Sequence, residues 1–282
     1  MSNPRYDAME GYFEGDGGAG ISMMCATASI QVNLDLGDPA ELARRWRAAH
    51  AIGPMLVAAF ANSPLAVGVP TGARSSRQQV WAALDRTRSA PALSVLPPAD
   101  AWARYALTAR VMMIRAGAAE YRPLREELSF ATWMAEGHEL GYPTVDDFAY
   151  HLTTLFPPVR PKGWLELRMI DALPGPWWQV ALAVTTALLD DPEALDAAER
   201  TCGPVAGCWA EAAAYGLGHP GMASAARICF AAALAALPRL GVDPTGTAAF
   251  VDRYVDRGRS PADDVLDAWA AGRRRVAVSS VR

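Results

Sequence analysis

Alternating apolar and polar residues predict a long β-strand from Ile21 to Leu36. One face of this strand is apolar at every second position from 24 to 36. The opposite face is polar and carries Thr27, Ser29, Gln31, Asn33 and Asp35. An antiparallel strand with one solvated face explains such a pattern. A face of hydroxyl, amide and carboxylate groups without long cations also suits a metal-bound phosphate or an amino-acid ligand, so both interpretations stay open.

A second strand is predicted from Trp164 to Ile170, again by alternation. Leucine and methionine occupy one face, whereas Trp164, Glu166 and Arg168 occupy the other. Glu166 and Arg168 could pair with each other or with neighbouring strands. They could also act separately, with the carboxylate holding Mg²⁺ and the guanidinium binding a phosphate or a carboxylate.

Most other segments have helical periodicity. Before residue 176 the predicted helices are Glu41–Phe60, Ser76–Leu84, Ala99–Leu107 and Thr144–Thr154, with a short strand at Val111–Arg115. After Gly175-Pro176 the chain becomes rich in Ala and Leu, and the predicted helices are Trp177–Leu189, Pro192–Arg200, Val205–Tyr215, Met222–Leu237, Thr245–Asp256 and Pro261–Ala271. We therefore expect a flexible, Gly-rich segment at 1–20, a strand-bearing core portion at 21–175 and a helical portion at 176–282 packed on that core.

Arg77 and Trp81 are four residues apart on the helix predicted at 76–84, so they lie on one helical face. They could form an exposed contact between a cation and an aromatic ring. The alternative is a carboxylate clamp lined by the indole.

Composition and charge exclude several classes of partner. Of the 282 residues, 51% are hydrophobic and 20% are charged, as in an ordinary globular protein. The net charge of −4 provides no basic face for nucleic acid. The four cysteines form no CxxC pair. The chain starts without a secretory pattern and has no stretch suited to a membrane span, so we expect a cytoplasmic protein with free thiols.

Six blocks of sequence occur in a fixed order along the chain: Thr27-Ala28-Ser29-Ile30-Gln31-Val32-Asn33-Leu34-Asp35, Phe60-Ala61-Asn62-Ser63-Pro64, Ser76-Arg77-Gln78-Gln79-Val80-Trp81, Tyr105-Ala106-Leu107, His151 to Arg160, and Leu165-Glu166-Leu167-Arg168. Together they resemble the plant-type and actinobacterial glutamate–cysteine ligases. Their order and spacing cover about residues 5 to 190. The Ala- and Arg-rich composition resembles the actinobacterial branch, which supplies γ-glutamylcysteine for ergothioneine synthesis.

The resemblance implies an α+β fold containing part of a glutamine-synthetase-like curved antiparallel sheet, with helices outside. It also implies ATP and Mg²⁺ as cofactors and glutamate and cysteine as substrates. ATP would convert the glutamate γ-carboxyl to an acyl phosphate, which the cysteine amine then attacks to give γ-glutamylcysteine. Much of this catalysis would consist of positioning and charge neutralisation.

Carried over residue by residue, the resemblance assigns Glu166 to the metal and Arg168 to phosphate oxygens, as the catalytic cation. Gln31 and Asn33 would face the nucleotide and its metal. The substrate side would be formed by a larger set, in which Arg77 clamps a glutamate carboxylate: Arg77, Trp81, Thr27, Ser29 and Met112.

One departure from the family pattern concerns the N-terminal region. Family members usually begin with a longer region that carries a cluster of glutamates, and residues 1–20 do not supply that cluster. We therefore expect a chain that is weakly active or inactive alone and that the missing N-terminal portion would complete. Two alternatives stay open: a ligase that uses another amine acceptor, and a non-catalytic or partner-dependent module that binds an amino acid or a nucleotide.

Overall fold

The computed structural model describes residues 3–14, 17–117 and 120–279. Helices and short strands both occur in the first part of the chain, and the regular elements between residues 172 and 279 are all helical. In chain order the elements are α1 Pro4–Phe13, α2 Ala19–Ala26, β1 Ser29–Leu34, α3 Leu42–Ala51, α4 Gly53–Ala59, β2 Leu65–Ala66, β3 Val69–Pro70, α5 Ser76–Ala82, α6 Arg86–Ser89, α7 Pro98–Thr108, β4 Met113–Arg115, β5 Tyr121–Pro123, α8 Phe130–Glu136, α9 Val145–Leu152, β6 Val159–Pro161, β7 Leu165–Asp171, α10 Trp177–Asp190, α11 Pro192–Cys202, α12 Trp209–Tyr215, α13 Pro220–Ala236, α14 Thr245–Phe250 and α15 Pro261–Ser279. The fold thus mixes helices with small antiparallel sheets.

The N-terminal region differs from the sequence-based prediction, because residues 4–13 form α1 where a flexible segment was expected. Asn3 caps this helix by accepting a hydrogen bond from the backbone N–H of Arg5, and Pro4 occupies a first-turn position that suits proline. Both are start signals that the sequence contains. Gly15 and Asp16, the first residues of the Gly-rich stretch, lie outside the described residues.

The strand predicted from Ile21 to Leu36 is wrong in its first part, since residues 19–26 form α2. Ile21 is the one β-branched residue of this segment, which otherwise consists of Ala, Gly, Ser, Met and Cys, so its local preference for a strand is weak. Gly20 allows α2 to approach α1: a Cβ at this position would lie 2.0 Å from the Cβ of Phe13. The close packing of α1 on α2 therefore decides the conformation, and the strand begins only at Ser29.

The other predicted helices are confirmed, with local differences. The segment 41–60 divides into α3 and α4 at Gly53-Pro54, because Pro54 has no N–H to continue the first helix. Thr144 and Asp147 form a capping box at the start of α9. The predicted helix at 245–256 continues from α14 into a π-helical segment, Val251–Val255.

The chain forms two compact units, and each takes residues from two separate segments. The first unit comprises residues 1–27 and 80–161, and the second comprises residues 28–79 and 162–282. The second unit therefore takes residues from both sides of the composition change near residue 175.

In the first unit, α1 and α2 pack on the two-stranded sheet of β4 and β5 through an apolar cluster that includes Met9, Phe13, Met23 and Met112. A second apolar cluster of this unit consists of Val111, Ile114, Leu124, Phe130 and Trp133. In the second unit, the rings of Phe60, Phe230 and Phe250 lie 5.1 to 5.7 Å apart and form an aromatic centre among α4, α13 and α14.

Within residues 3–14, 17–117 and 120–279, the structure contains no helix with the length and apolar character needed to cross a lipid bilayer.

Candidate functional site

Strands β1 and β7, which carry the two polar faces, lie side by side in the second unit. β1 and β7 pair in antiparallel fashion, with Asn33 opposite Glu166 and Leu34 opposite Leu165. Residues that lie opposite each other in such a pair project to the same face of the sheet. Gln31 and Arg168, two residues from these positions, follow them on that face. The polar faces of the two strands are therefore adjacent.

A β-bulge interrupts the register next to these residues. Ile30 pairs with Ile170 and Val32 pairs with Leu167, so Gln31 alone faces two residues of β7. The extra residue therefore belongs to β7, at Arg168 and Met169. Bulges twist a strand and redirect its side chains, and they are frequent next to active sites.

The polar side chains at the bulge form a connected cluster. An Arg168 terminal nitrogen donates to Glu166 Oε2 at 3.0 Å. With its amide oriented to satisfy both neighbours, Gln31 donates to Glu166 Oε1 at 3.2 Å and accepts from Arg168 at 3.1 Å. Glu166 is only 5% exposed, whereas Gln31 and Asn33 are exposed. The Arg168 charge compensates the buried carboxylate.

Two side chains of α5 donate hydrogen bonds to the backbone carbonyl groups at the bulge. Arg77 donates to the carbonyl oxygen of Arg168 at 2.7 Å and to that of Met169 at 3.4 Å. Gln78 also donates to the carbonyl oxygen of Met169, at 2.7 Å. A bulge disrupts the regular ladder and leaves backbone groups to be satisfied in other ways. These contacts hold the backbone that carries Arg168.

Asp171, the last residue of β7, is hydrogen-bonded to the segment that joins α4 to α5. Its carboxylate accepts from the Asn62 backbone N–H at 3.0 Å, from Ser63 Oγ at 2.8 Å and from Ser75 Oγ at 3.0 Å. Arg77 lies 3.7 Å away. Burial raises the pKa of Asp171, against the opposing effects of the Asn62 hydrogen bond and the Arg77 charge. Burial likewise lowers the pKa of Arg77 to about 10, although Asp171 opposes the change.

Comparison with known proteins adds to this geometry. The model of glutamate-cysteine ligase family 2 (GCS2) matches residues 1–280. The chain belongs to this family.

Curated relatives agree with the family match. A glutamate–cysteine ligase EgtA of Mycolicibacterium smegmatis is 44% identical over 269 residues, which are 93% of this chain and 62% of the relative. The EgtA of Mycobacterium tuberculosis is 41% identical over 285 residues, 98% of this chain and 65% of the relative. A chloroplastic glutamate–cysteine ligase of Arabidopsis thaliana is 33% identical over 211 residues, 70% of this chain and 38% of the relative. The chain thus spans less than two thirds of the EgtA relatives.

Within this member of family 2, the other predicted site residues have different surroundings. Ser29 begins β1, opposite Asp171. Thr27 belongs to the first unit, where its hydroxyl donates to the Met23 carbonyl at 2.8 Å and ends α2. Two further residues of that unit are part of its packing: the Trp81 ring contacts Phe156 edge to face, and Met112 is buried in the apolar cluster.

Sequence reasoning did not identify Asp171 or Gln78 as parts of this arrangement. Asp171 follows the second predicted strand directly, and Asn62-Ser63-Pro64 belongs to one of the six resembling blocks but received no role. A carboxylate at a strand end and a loop rich in N–H and O–H donors are complementary, but 109 residues separate Asn62 from Asp171. Only the folded chain brings them together.

Proposed function

We propose that this chain forms part of a glutamate–cysteine ligase, which joins the γ-carboxyl of glutamate to the amine of cysteine at the expense of ATP. The relatives that carry this name, together with the Gln31–Glu166–Arg168 cluster, support the proposal. The reaction would proceed through an acyl phosphate and yield γ-glutamylcysteine. Glutamate and cysteine would be the substrates.

In this proposal, Glu166 is a ligand of Mg²⁺ and Arg168 is the catalytic cation that contacts phosphate oxygens. Mg²⁺ usually binds one or two protein carboxylates together with phosphate oxygens and water. A single buried carboxylate beside exposed amides fits that donor set, with Gln31 and Asn33 facing the nucleotide. When bound, the metal would neutralise phosphate charge. Arg168 would orient the transferred phosphoryl group through charge-assisted hydrogen bonds.

For the substrate side, Arg77, Trp81, Thr27, Ser29 and Met112 stay predictions. The partners of Arg77 favour a positioning role, because its guanidinium donates hydrogen bonds to the backbone carbonyl groups of Arg168 and Met169. We also propose that β1 and β7 belong to a glutamine-synthetase-like curved sheet. The ergothioneine pathway, the cytoplasmic location and completion by an N-terminal portion are further parts of the proposal.

A partner-dependent binding module is the second candidate function. Within residues 3–14, 17–117 and 120–279, no three His, Cys, Asp or Glu side chains lie together as a metal site. A chain with one carboxylate at the cluster could bind a nucleotide and depend on another segment for turnover. A ligase with a different amine acceptor also remains open, and competition between cysteine and other amines during phosphate release tests that alternative.

The decisive experiment compares Glu166→Gln with Glu211→Gln, a change of an exposed glutamate on α12 in the same unit. Binding of ATP is measured for the full chain with Mg²⁺ and with EDTA. We expect Glu166→Gln to weaken Mg²⁺-dependent binding about tenfold or more, whereas Glu211→Gln leaves it unchanged. Equal Mg²⁺-dependent binding by Glu166→Gln and the unaltered chain would overturn the metal assignment, provided that their circular dichroism spectra agree.

Turnover separates the ligase from the module. Phosphate release and γ-glutamylcysteine are measured with the chain alone, and again after addition of the part of the M. smegmatis relative that this chain does not match. Product that requires ATP, glutamate and cysteine in either mixture supports the ligase. Nucleotide binding without product in both mixtures supports the module.

A further inference from the structure

The first unit contains a cavity of about 470 Å³ that is separate in sequence from the Glu166 cluster. Its walls come from α1, from the start of α6 and from the segments that flank β4 and β5. Charges of both signs line it, together with one aromatic and one aliphatic side chain: Tyr12, Glu14, Asp85, Arg110, Leu124 and Arg125. This mixture differs from an apolar packing defect, which would remain dry and uncharged.

The inner wall of the cavity is a closed hydrogen-bond network. The Tyr12 hydroxyl donates to Asp85 Oδ2 at 2.6 Å, and Arg88 Nε donates to the same oxygen at 3.1 Å. Arg88 is fully buried, with its guanidinium 4.8 Å from the centre of the Tyr12 ring. Burial raises the pKa of Tyr12 to about 12, so its hydroxyl remains a donor at neutral pH. Arg88 and Asp85 therefore neutralise each other.

Arg110 has no such compensation. Its Nε is buried and has no hydrogen-bond partner within the part of the chain that the structure describes. One terminal nitrogen donates to the Arg125 carbonyl oxygen at 3.3 Å, a neutral acceptor. The guanidinium lies 5.8 Å from the centre of the Tyr12 ring. Among the described residues it forms no ion pair, so a cation with spare donors borders the cavity.

The cavity also has an acidic side. Glu14 pairs with Arg125, and both side chains are exposed, so water and small solutes have access to them. An exposed pair of this kind contributes little to stability and can exchange partners at small cost. Glu14 can therefore accept hydrogen bonds from an ammonium group. Inorganic phosphate, in contrast, has no ammonium group to donate to Glu14 and no side chain to pack on Tyr12 and Leu124.

We propose that this cavity binds a zwitterionic α-amino acid. Arg110 would bind the α-carboxylate, Glu14 would accept from the α-ammonium group, and the side chain would lie along Tyr12 and Leu124. A planar guanidinium matches a carboxylate in geometry, whereas Lys would act only as a point charge. The inference rests on the proposed function only for the choice of glutamate and cysteine as amino acids to test.

The experiment measures binding of L-glutamate, reduced L-cysteine, glutarate and inorganic phosphate to the full chain by titration calorimetry, without nucleotide. Arg110→Gln removes the carboxylate site, and Glu14→Gln removes the ammonium acceptor. Arg122→Gln is the matched control, because this exposed arginine of the same unit pairs with Glu139 and does not line the cavity.

We expect saturable binding of at least one of the two amino acids and affinities at least about tenfold lower for glutarate and phosphate. Arg110→Gln should weaken amino-acid binding about tenfold or more, and Glu14→Gln should weaken it without changing glutarate binding. Arg122→Gln should bind like the unaltered chain. Absence of saturable binding up to about 10 mM, equal affinity for phosphate, or unchanged affinity in Arg110→Gln would overturn the proposal.

The two proposals fail in different ways. Glu166→Gln should lose Mg²⁺-dependent ATP binding and keep amino-acid binding, whereas Arg110→Gln should show the reverse. Loss of both activities in either variant would indicate a general folding defect, and the thermal unfolding curve of that variant detects it.

Discussion

Replacement of Arg77 by Met tests whether hydrogen bonds from the Arg77 side chain stabilise the bulge in β7. Arg77 is 5% exposed, donates to the Arg168 carbonyl at 2.7 Å and to the Met169 carbonyl at 3.4 Å, and lies 3.7 Å from Asp171. Methionine keeps most of the apolar volume but removes every donor. The variant therefore separates packing from hydrogen bonding and charge.

The expected cost follows from these contacts. A short hydrogen bond from a charged donor contributes about 1.5–3 kcal/mol, and the longer one contributes less. Loss of one partner from a buried ion pair costs about 3–5 kcal/mol when nothing else compensates the remaining charge. Asp171 keeps three other donors, and removal of Arg77 relieves the burial of a cation. We therefore expect Arg77→Met to lower the free energy of unfolding by about 3 kcal/mol.

The assay is urea unfolding followed by circular dichroism. Arg47→Met, at an exposed position of α3, should change the free energy of unfolding by less than about 0.5 kcal/mol. A double-mutant cycle with Asp171→Asn should give a coupling free energy of about 1 kcal/mol or more. The difference in free energy of unfolding between Arg77→Met and the unaltered chain should also become smaller at acidic pH. Loss of the Arg77 charge raises the pKa of Asp171 further, and protonation of Asp171 then removes its uncompensated negative charge.

Two results would refute this reasoning. A loss below about 1 kcal/mol for Arg77→Met would mean that water or other groups satisfy the bulge carbonyls. Additive effects of the Arg77 and Asp171 changes would mean that the two side chains do not interact across 3.7 Å.

Three other predictions follow from single residues. Burial lowers the pKa of His151 from 6.5 to about 4, so the free energy of unfolding should fall by up to about 3 kcal/mol as the pH falls from 6.5 to 4. His151→Gln should make this fall smaller, which urea unfolding at pH 7.5 and at pH 5 measures. Gly53→Ala should destabilise the fold by about 2 kcal/mol, because its Cβ would lie 2.2 Å from the Trp209 ring, whereas Gly203→Ala meets no atom within 4 Å and should not destabilise it; equal melting temperatures for the two would contradict this. Cys25 is exposed and should react first with a thiol reagent, so Cys25→Ser should remove the fastest labelling phase; persistence of that phase would show the opposite.

The sequence alone determined which polar residues share a strand face. Period-two alternation assigned Gln31 and Asn33 to one face of a strand and Glu166 and Arg168 to one face of another, because successive side chains of a strand point in opposite directions. Helical periodicity and capping residues likewise predicted most helices, since these signals act within a few residues. The helix at Pro4 was missed although its Asn-Pro start signal was present.

Only the tertiary structure decided how these faces meet. The pairing of β1 with β7 joins segments more than 130 residues apart, and the extra residue at Arg168 and Met169 has no local sequence mark. The cavity beside Arg110 likewise combines segments that are distant in the chain. The conformation of residues 19–26 depended on the close approach of Gly20 to Phe13. Local patterns specify which side of an element is polar, but partners, register and bulges depend on packing between distant segments, which local patterns do not encode.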